Sequence, residues 1–241
     1  MNLIIDIGNT LTKIAITESN NIVFSNRYEV LSKEILLDIL AKYSPAKAIV
    51  AAVGKEDIGL VDLLSSQIPT IDLSHNSKLP ITILYKTPQT LGLDRVAAAV
   101  GVSYLYPQSD LLVIDCGTAI TYDVINLKGE YIGGAISPGI TLRYKSLNQH
   151  TANLPLISSI EDAPIVGTST SECIESGVLN GVIGELDYFI GSIKEKYPNL
   201  KVVITGGDSN FFVSKLKNSI FVVQNLVIIG LNRILDFNVQ L

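Results

Sequence analysis

Asp6-Ile7-Gly8-Asn9-Thr10 and Asp115-Cys116-Gly117-Thr118-Ala119 are two uses of one short pattern. Each closes an apolar run: residues 2–7 (NLIIDI) in the first case, Leu111–Asp115 in the second. Runs of that kind suit strands buried on both faces. Each pattern leads into a second strand, Leu11–Thr17 or Ile120–Ile125, and then a third, Asn21–Arg27 or Tyr131–Ser137. The connections Gly8-Asn9-Thr10, Glu18-Ser19-Asn20 and Asn126–Gly129 are short and polar, and their Asn and Gly residues supply the positive φ that tight turns need. A lone D-x-G-[NT] turn is common. Two copies, each at the first turn of a β-β-β-α-β run, mark an internal duplication.

Outward from these turns the pattern continues in both halves. In the first, Ser32 suits an N-cap ahead of the stripe Ile35, Leu36, Ile39 and Leu40. A buried parallel strand at Ala46–Val53 follows, then a helix at Glu56–Ser66, extended pieces at Thr70–Leu73 and Ile81–Tyr85, and a helix from Leu93 to Tyr104. In the second, a helix is expected after Pro138. A long helix over 171–196 carries Ile174, Val178, Val182, Leu186, Phe189, Ile190 and Ile193 at a 3.6 period. Lys201–Thr205 reads as a strand, 210–217 as a short helix, Phe221–Val223 as a strand and Leu226–Leu235 as a last helix. The expectation is an α/β chain of two lobes in tandem, residues 1–106 and 107–241.

Composition narrows the functions open to it. The chain has 241 residues, 47% hydrophobic and 17% charged, a balance that excludes a largely disordered protein. Its mean hydropathy of +0.38 fits strands buried on both faces or an apolar subunit interface. The longest apolar candidate, Ile220–Leu231, is interrupted by Gln224 and Asn225, so no membrane span is expected. No basic flank precedes the first apolar run, so no signal peptide is expected either. Cys116 and Cys173 stand in no metal spacing, which suits a reduced, cytoplasmic protein. His75 and His150 read as loop residues and leave little for a zinc site or a Ser-His-Asp triad. A net charge of −5 gives no reason to bind nucleic acid and no long-range pull on anions.

The paired turns therefore have to do their work locally. A tight turn of Gly and a small hydroxyl residue exposes backbone N–H groups that suit phosphate oxygens. Singly, each would pass for an ordinary hairpin. As a pair facing each other across a cleft they would grip a nucleotide polyphosphate from both sides. Asp6 and Asp115, at the heads of the turns, repel phosphate unless a cation lies between, either hydrated Mg²⁺ or a monovalent ion. Lys13 adds a positive charge close by. Thr205-Gly206-Gly207-Asp208-Ser209 follows a strand and precedes a helix. Its paired glycines allow a flat ligand such as adenine to approach, or the segment is a helix entry capped by Asp208 or Ser209. No G-x-x-x-x-G-K-[ST] and no G-x-G-x-x-G after a strand is present, which argues against P-loop and Rossmann sites.

Two ribonuclease-H-like lobes carrying D-x-G-[NT] turns resemble the sugar-kinase, heat-shock-chaperone and actin group. Within it, five features are together similar to the type III pantothenate kinase family: DIGNT, Tyr85 with Gly92-Leu93-Asp94-Arg95, Asp115-Cys116-Gly117-Thr118, GGAISPG, and TGGD. The resemblance runs in order over essentially the whole chain. It implies an actin-like ATPase fold with a nucleotide cleft between the lobes, ATP-dependent phosphorylation of pantothenate at the start of coenzyme A synthesis, and a homodimer. It further implies that Asp6, Gly8, Asn9, Thr10 and Lys13 form the first phosphate turn, with Asp6 holding Mg²⁺ through water. Thr118 would contact ATP, as would Gly206 and Gly207. Asp94 would be the general base. Tyr85, Gly92, Leu93, Asp94, Arg95 and Thr170 would contact pantothenate, and Asp115 would hold potassium or ammonium. The chain departs from the family where Thr168-Ser169 replaces a frequent Lys-Asn ahead of Thr170.

Phosphoryl transfer needs an acceptor oxygen in line with the γ-phosphate and neutralisation of oxygen charge, and a hydroxyl acceptor needs a base. Read without the family, Asp94-Arg95 is more often an acidic residue stabilised by the helix dipole beside a surface arginine than a catalytic base. Arg95 would steady either a substrate carboxylate or developing phosphate charge. Two other functions fit less well. A non-catalytic binding protein on the same fold would tend to lose the base. An actin- or chaperone-like ATPase needs a much longer chain.

Overall fold

In the computed structural model, which describes residues 1–8, 11–52, 58–158 and 160–239, Asn2–Ile7 is strand β1, and every residue from Leu3 to Ile7 is buried. A strand covered on both faces needs partners along both edges. β2 (Thr12–Glu18) pairs antiparallel on one side, with Asp6 opposite Lys13 and Ile7 opposite Thr12. β3 (Asn21–Tyr28) pairs with β2 and is largely exposed, as an edge strand is. Helix α1 (Lys33–Tyr43) starts at Ser32, whose Oγ accepts from the Ile35 N–H at 3.4 Å, and ends on Ser44 at φ 45°. It returns the chain to β4 (Lys47–Ala52), parallel to β1 on its other edge. Helix α2 (Ile58–Gln67) and strand β5 (Thr70–Asp72) complete a sheet of order β3-β2-β1-β4-β5. β6 (Thr82–Ile83) and helix α3 (Leu93–Leu105) follow.

The second sheet repeats the arrangement. β7 (Leu111–Cys116) pairs antiparallel with β8 (Ala119–Ile125), and β9 (Glu130–Pro138) lies beyond it. Helices α4 (Ile140–Gln149), α5 (Thr170–Glu175) and α6 (Gly181–Lys196) lead to β10 (Lys201–Thr205), parallel to β7. Helix α7 (Ser209–Phe212) precedes β11 (Phe221–Val222), and helix α8 (Leu226–Val239) ends the fold. The order is β11-β10-β7-β8-β9-β6, with β6 pairing only to Glu130 and Tyr131. Without β6, this is the first sheet's order over again, and β7 pairs antiparallel with β8 and parallel with β10 as β1 does with β2 and β4.

Two helices differ from expectation. The stretch read as one helix over 171–196 is α5, a wide π turn over Ser176–Asn180, and α6. The 3.6-period stripe survives that turn because one extra residue shifts register without ending the helix. The helix expected at 210–217 closes after Phe212.

By contacts the chain divides into two compact units. One is Met1–Pro107 with Gly129–Tyr131 and Asn225–Leu241; the other is Gln108–Lys128 with Ile132–Gln224. Sequence alone divides the repeat after Tyr106, but α8 goes back to the first unit. Glycines permit this: a Cβ on Gly230 would run into the Ala97 carbonyl, and one on Gly101 would meet the Leu226 carbonyl oxygen at 2.5 Å. The helices α3 and α8 thus meet backbone to backbone. The first unit's core gathers Leu3, Ile5, Ile14, Ile16, Leu36 and Val50. That of the second gathers Leu112, Ile114, Tyr122, Val182, Leu186 and Ile204.

Candidate functional site

In the first unit the site begins where β1 ends. Asp6 is 7% exposed, and the Lys13 ammonium opposite it comes within 3.7 Å. Burial pushes the Asp6 carboxyl above its ordinary value; Lys13 pulls it down, and the negative charge of Asp94 pushes it up again. Asp94 lies in the first turn of α3, with Gly92 as N-cap. Asp6 and Asp94, remote in sequence, therefore share one electrostatic neighbourhood. The Asp94 side chain is fixed by accepting the Arg95 N–H at Oδ1, 2.8 Å. A Cβ on Gly92 would overlap that same oxygen, so a side chain there would push the Asp94 carboxylate aside. Arg95 is buried, Leu93 half-buried and Asp94 exposed, so only the carboxylate of this trio faces outward.

Gly8 closes its turn with an N–H to the Leu11 carbonyl, 3.2 Å. Asn9 and Thr10, expected in the same phosphate turn, lie outside the described residues. Tyr85 is half-buried, with its ring edge-on to Tyr131 at 6.0 Å between centroids. The preceding Leu84 N–H reaches the Tyr131 carbonyl at 2.9 Å. His75 shares a 2.9 Å hydrogen bond with the Leu91 carbonyl, just before the Gly92-Leu93-Asp94-Arg95 segment.

In the second unit three glycine segments meet. Asp115 is the last but one residue of β7, and the Gly117 N–H closes the turn on Ala119 O at 3.1 Å. Thr118 is exposed at its tip. The Gly139 N–H donates to Thr118 O at 3.0 Å, and a Cβ on Gly139 would collide with the Gly117 carbonyl. From the other side comes Gly206, at φ +95°, where a Cβ would meet Asp115 Oδ1 at 2.5 Å. The Asp208 N–H donates to Cys116 O at 3.0 Å. Gly207 is exposed, with open space where a side chain would stand. Burial raises the Asp208 carboxyl. It also raises the Cys116 thiol, helped by Asp115 and Asp208, so Cys116 is a packed side chain and no nucleophile. Asp208 is the N-cap of α7 by position but makes no capping bond with its side chain.

Thr170 is exposed and opens α5, behind Ser169, whose Oγ caps the helix by accepting the Glu172 N–H. It lines a cavity of about 840 Å³ together with Pro138, Arg143, His150 and Cys173. The structure thus brings Asp6, Lys13 and Asp94 together in one unit. In the other it brings together the segments around Asp115, Gly139 and Gly206. Among the described residues no group of three or more His, Cys, Asp or Glu is placed to hold a metal. No helix among them is long and apolar enough to cross a membrane.

Sequence reasoning passed over Glu185, Arg143, Ser137 and Tyr122, which form one hydrogen-bonded cluster beside Gly139. A signal existed: Glu185 stands three residues after Val182 on the buried face of its helix, where a carboxylate needs partners.

The chain matches the type III pantothenate kinase family over residues 2–192. A type III pantothenate kinase of Phocaeicola vulgatus is 43% identical over 246 residues, covering 100% of both chains. A solved structure of a Baf family transcriptional activator from Campylobacter jejuni superposes with a TM-score of 0.67 at 21% identity, covering 99% of this chain and 100% of that one. A glucokinase from an Antarctic psychrotroph gives a TM-score of 0.54 at 15% identity, covering 98% of each. At those identities the two structures speak for the fold: the two-lobed, actin-like architecture of sugar kinases.

Proposed function

The chain belongs to the type III pantothenate kinase family, and from that premise we propose that it transfers the γ-phosphoryl group of ATP to the primary hydroxyl of pantothenate, opening coenzyme A synthesis. The observation that supports this reading is the electrostatic coupling of Asp94, in the first turn of α3, to the buried Asp6 near the end of β1. One is buried and disposed towards a cation; the other is exposed and disposed towards a substrate.

Asp94 is the general base. Its Oδ1 is held by the Arg95 N–H, and a carboxylate has a second oxygen to take the hydroxyl proton as the new P–O bond forms. Arg95, Leu93, Gly92, Tyr85 and Thr170 contact pantothenate. Gly8, Asn9, Thr10 and Lys13 bind phosphate, and Thr118, Gly206 and Gly207 bind the nucleotide. Lys13 neutralises phosphate oxygens as charge moves onto the leaving group.

The acidic residues present fit cations held largely by phosphate and water. Asp6 is a buried carboxylate whose counter-charge, the Lys13 ammonium, stands at 3.7 Å, and no all-protein metal cage exists among the described residues. Asp6 would hold Mg²⁺ through water, and Asp115 would hold potassium or ammonium. When bound, such cations neutralise the oxygens of the polyphosphate. The protein works as a cytoplasmic homodimer, a compartment in keeping with free thiols at Cys116 and Cys173.

The test is direct. With ATP, Mg²⁺ and potassium, purified protein releases ADP only when pantothenate is added, and sodium in place of potassium removes that release. Asp94→Asn keeps its melting temperature and loses roughly 10²–10⁴ in kcat. ADP release indifferent to pantothenate would exclude this substrate. A fully active Asp94→Asn would put the base elsewhere, and equal rates in sodium and potassium would remove the role of Asp115.

A further inference from the structure

Glu185 lies outside every motif discussed above, yet its carboxylate receives donors from three elements. Ser137 Oγ of β9 reaches Oε1 at 2.5 Å, Tyr122 OH of β8 reaches Oε1 at 2.8 Å, and Arg143 Nη2 of α4 reaches Oε2 at 2.6 Å. Bonds from an arginine and two hydroxyls to a carboxylate are charge-assisted. Burial alone would raise the Glu185 pKa, but the bonds from Ser137, Arg143 and Tyr122 outweigh it and hold the carboxyl below its ordinary range. The wholly buried Tyr122 hydroxyl is pushed up, by burial first and by its bond to Glu185 next, so it stays a donor.

From this carboxylate a short path leads to the Gly117-Thr118 turn. Arg143 also donates from Nε to Pro138 O at 2.8 Å, while its backbone N–H bonds Gly139 O at 3.0 Å. Ser137 and Arg143 thus hold both sides of Pro138-Gly139. Gly139 in turn carries the Thr118 carbonyl on its N–H and leaves no room for a Cβ against Gly117. A displacement of Pro138-Gly139 would pass to the turn directly.

We propose that Glu185 is a positioning residue for phosphoryl transfer: through Ser137 and Arg143 it fixes the segment on which the Gly117-Thr118 turn is seated, and so keeps that turn in its ATP-binding form. This rests on the assignment of Thr118 to ATP made above. A staple that merely held α6 to β9 and α4 would cost stability when cut and would spare the balance between the two substrates.

Steady-state kinetics and melting of the full chain separate these roles. Glutamine at 185 keeps the shape and an acceptor oxygen but loses the charge that faces Arg143. Glu185→Gln is expected to raise KM for ATP roughly tenfold, with KM for pantothenate changed by less than about twofold and the melting temperature near that of the parent. Arg143→Lys, which cannot hold Pro138 and Glu185 together, shifts KM for ATP the same way. The double variant is no worse than the worse single, because both changes cut one link. An unchanged KM for ATP in Glu185→Gln, while Thr118→Ala raises it, overturns the positioning role and leaves the ATP assignment standing. An unchanged KM for ATP in Thr118→Ala removes the assignment and the proposal with it. Additive losses of melting temperature with both KM values rising together identify a staple and also overturn it. If Glu185→Gln does not fold, Arg143→Lys carries the same test.

Discussion

Lys13 faces Asp6 across the β1–β2 register, with a side chain that is 38% exposed. As an ion pair in that setting it adds only about 0–1 kcal/mol of stability. Its larger effect is on when Asp6 carries charge. Burial is the main force raising the Asp6 pKa, Asp94 adds to it, and Lys13 opposes both. An acid raised in the folded state binds its proton more tightly there than in the unfolded chain. Its contribution to stability is therefore present at low pH and lost as pH rises through the raised value. Lys13→Met extends that window upward: the variant should melt close to the parent in acid and below it at neutral pH. If the ionised carboxylate is what catalysis needs, the acid limb of kcat/KM for ATP should also move to higher pH. Superimposable acid limbs would show that Lys13 does not set the charge of Asp6.

The second unit's site depends on segments meeting where only glycine fits. Gly139 lies on the Gly117 and Thr118 carbonyls, and Gly206 lies on the Cys116 carbonyl. Backbone cannot swing aside as a side chain can, so Gly139→Ala should cost roughly 1–3 kcal/mol and raise KM for ATP as the turn is displaced. Gly207→Ala, with open space around it, should leave the melting temperature unchanged. Equal melting of the two alanine variants in thermal denaturation would refute the packing argument. At this scale sequence reading goes only part of the way. It marks GGAISPG, TGGD and Asp115–Thr118 as separate glycine motifs, because local spacing carries turn chemistry. That Gly139 and Gly206 close on the same turn is a tertiary fact with no local period. Glu185 is illegible for a related reason: the helical period marks Val182 and Leu186 beside it, but its partners come from β8, β9 and α4, which no local period brings together.

For the molecule as a whole, strand order was the legible part. Two copies of one motif, each after a buried strand, foretold two sheets built alike, and β3-β2-β1-β4-β5 is matched by β9-β8-β7-β10-β11. The return of α8 to the first unit was not legible. It depends on Gly101 and Gly230 admitting close helix contact, and a lone glycine in an apolar helix announces no partner. The chain is 47% hydrophobic with a mean hydropathy of +0.38. In the second unit Ile136, Leu156, Ile165, Val166 and Tyr188 are each more than half exposed. Exposed apolar side chains that form one patch mark a surface for a partner, and a second copy of the chain is the cover we propose. Sedimentation equilibrium at micromolar concentration should give about twice 26.0 kDa. Ile165 and Val166 are 79% and 77% exposed, so glutamate at both should cost a monomer little, within about 0.5 kcal/mol each. In a dimer that uses them, the double variant should sediment near 26.0 kDa. A double variant that keeps the dimer mass would put the interface on another face, whereas a parent protein that sediments as a monomer would end the dimer proposal.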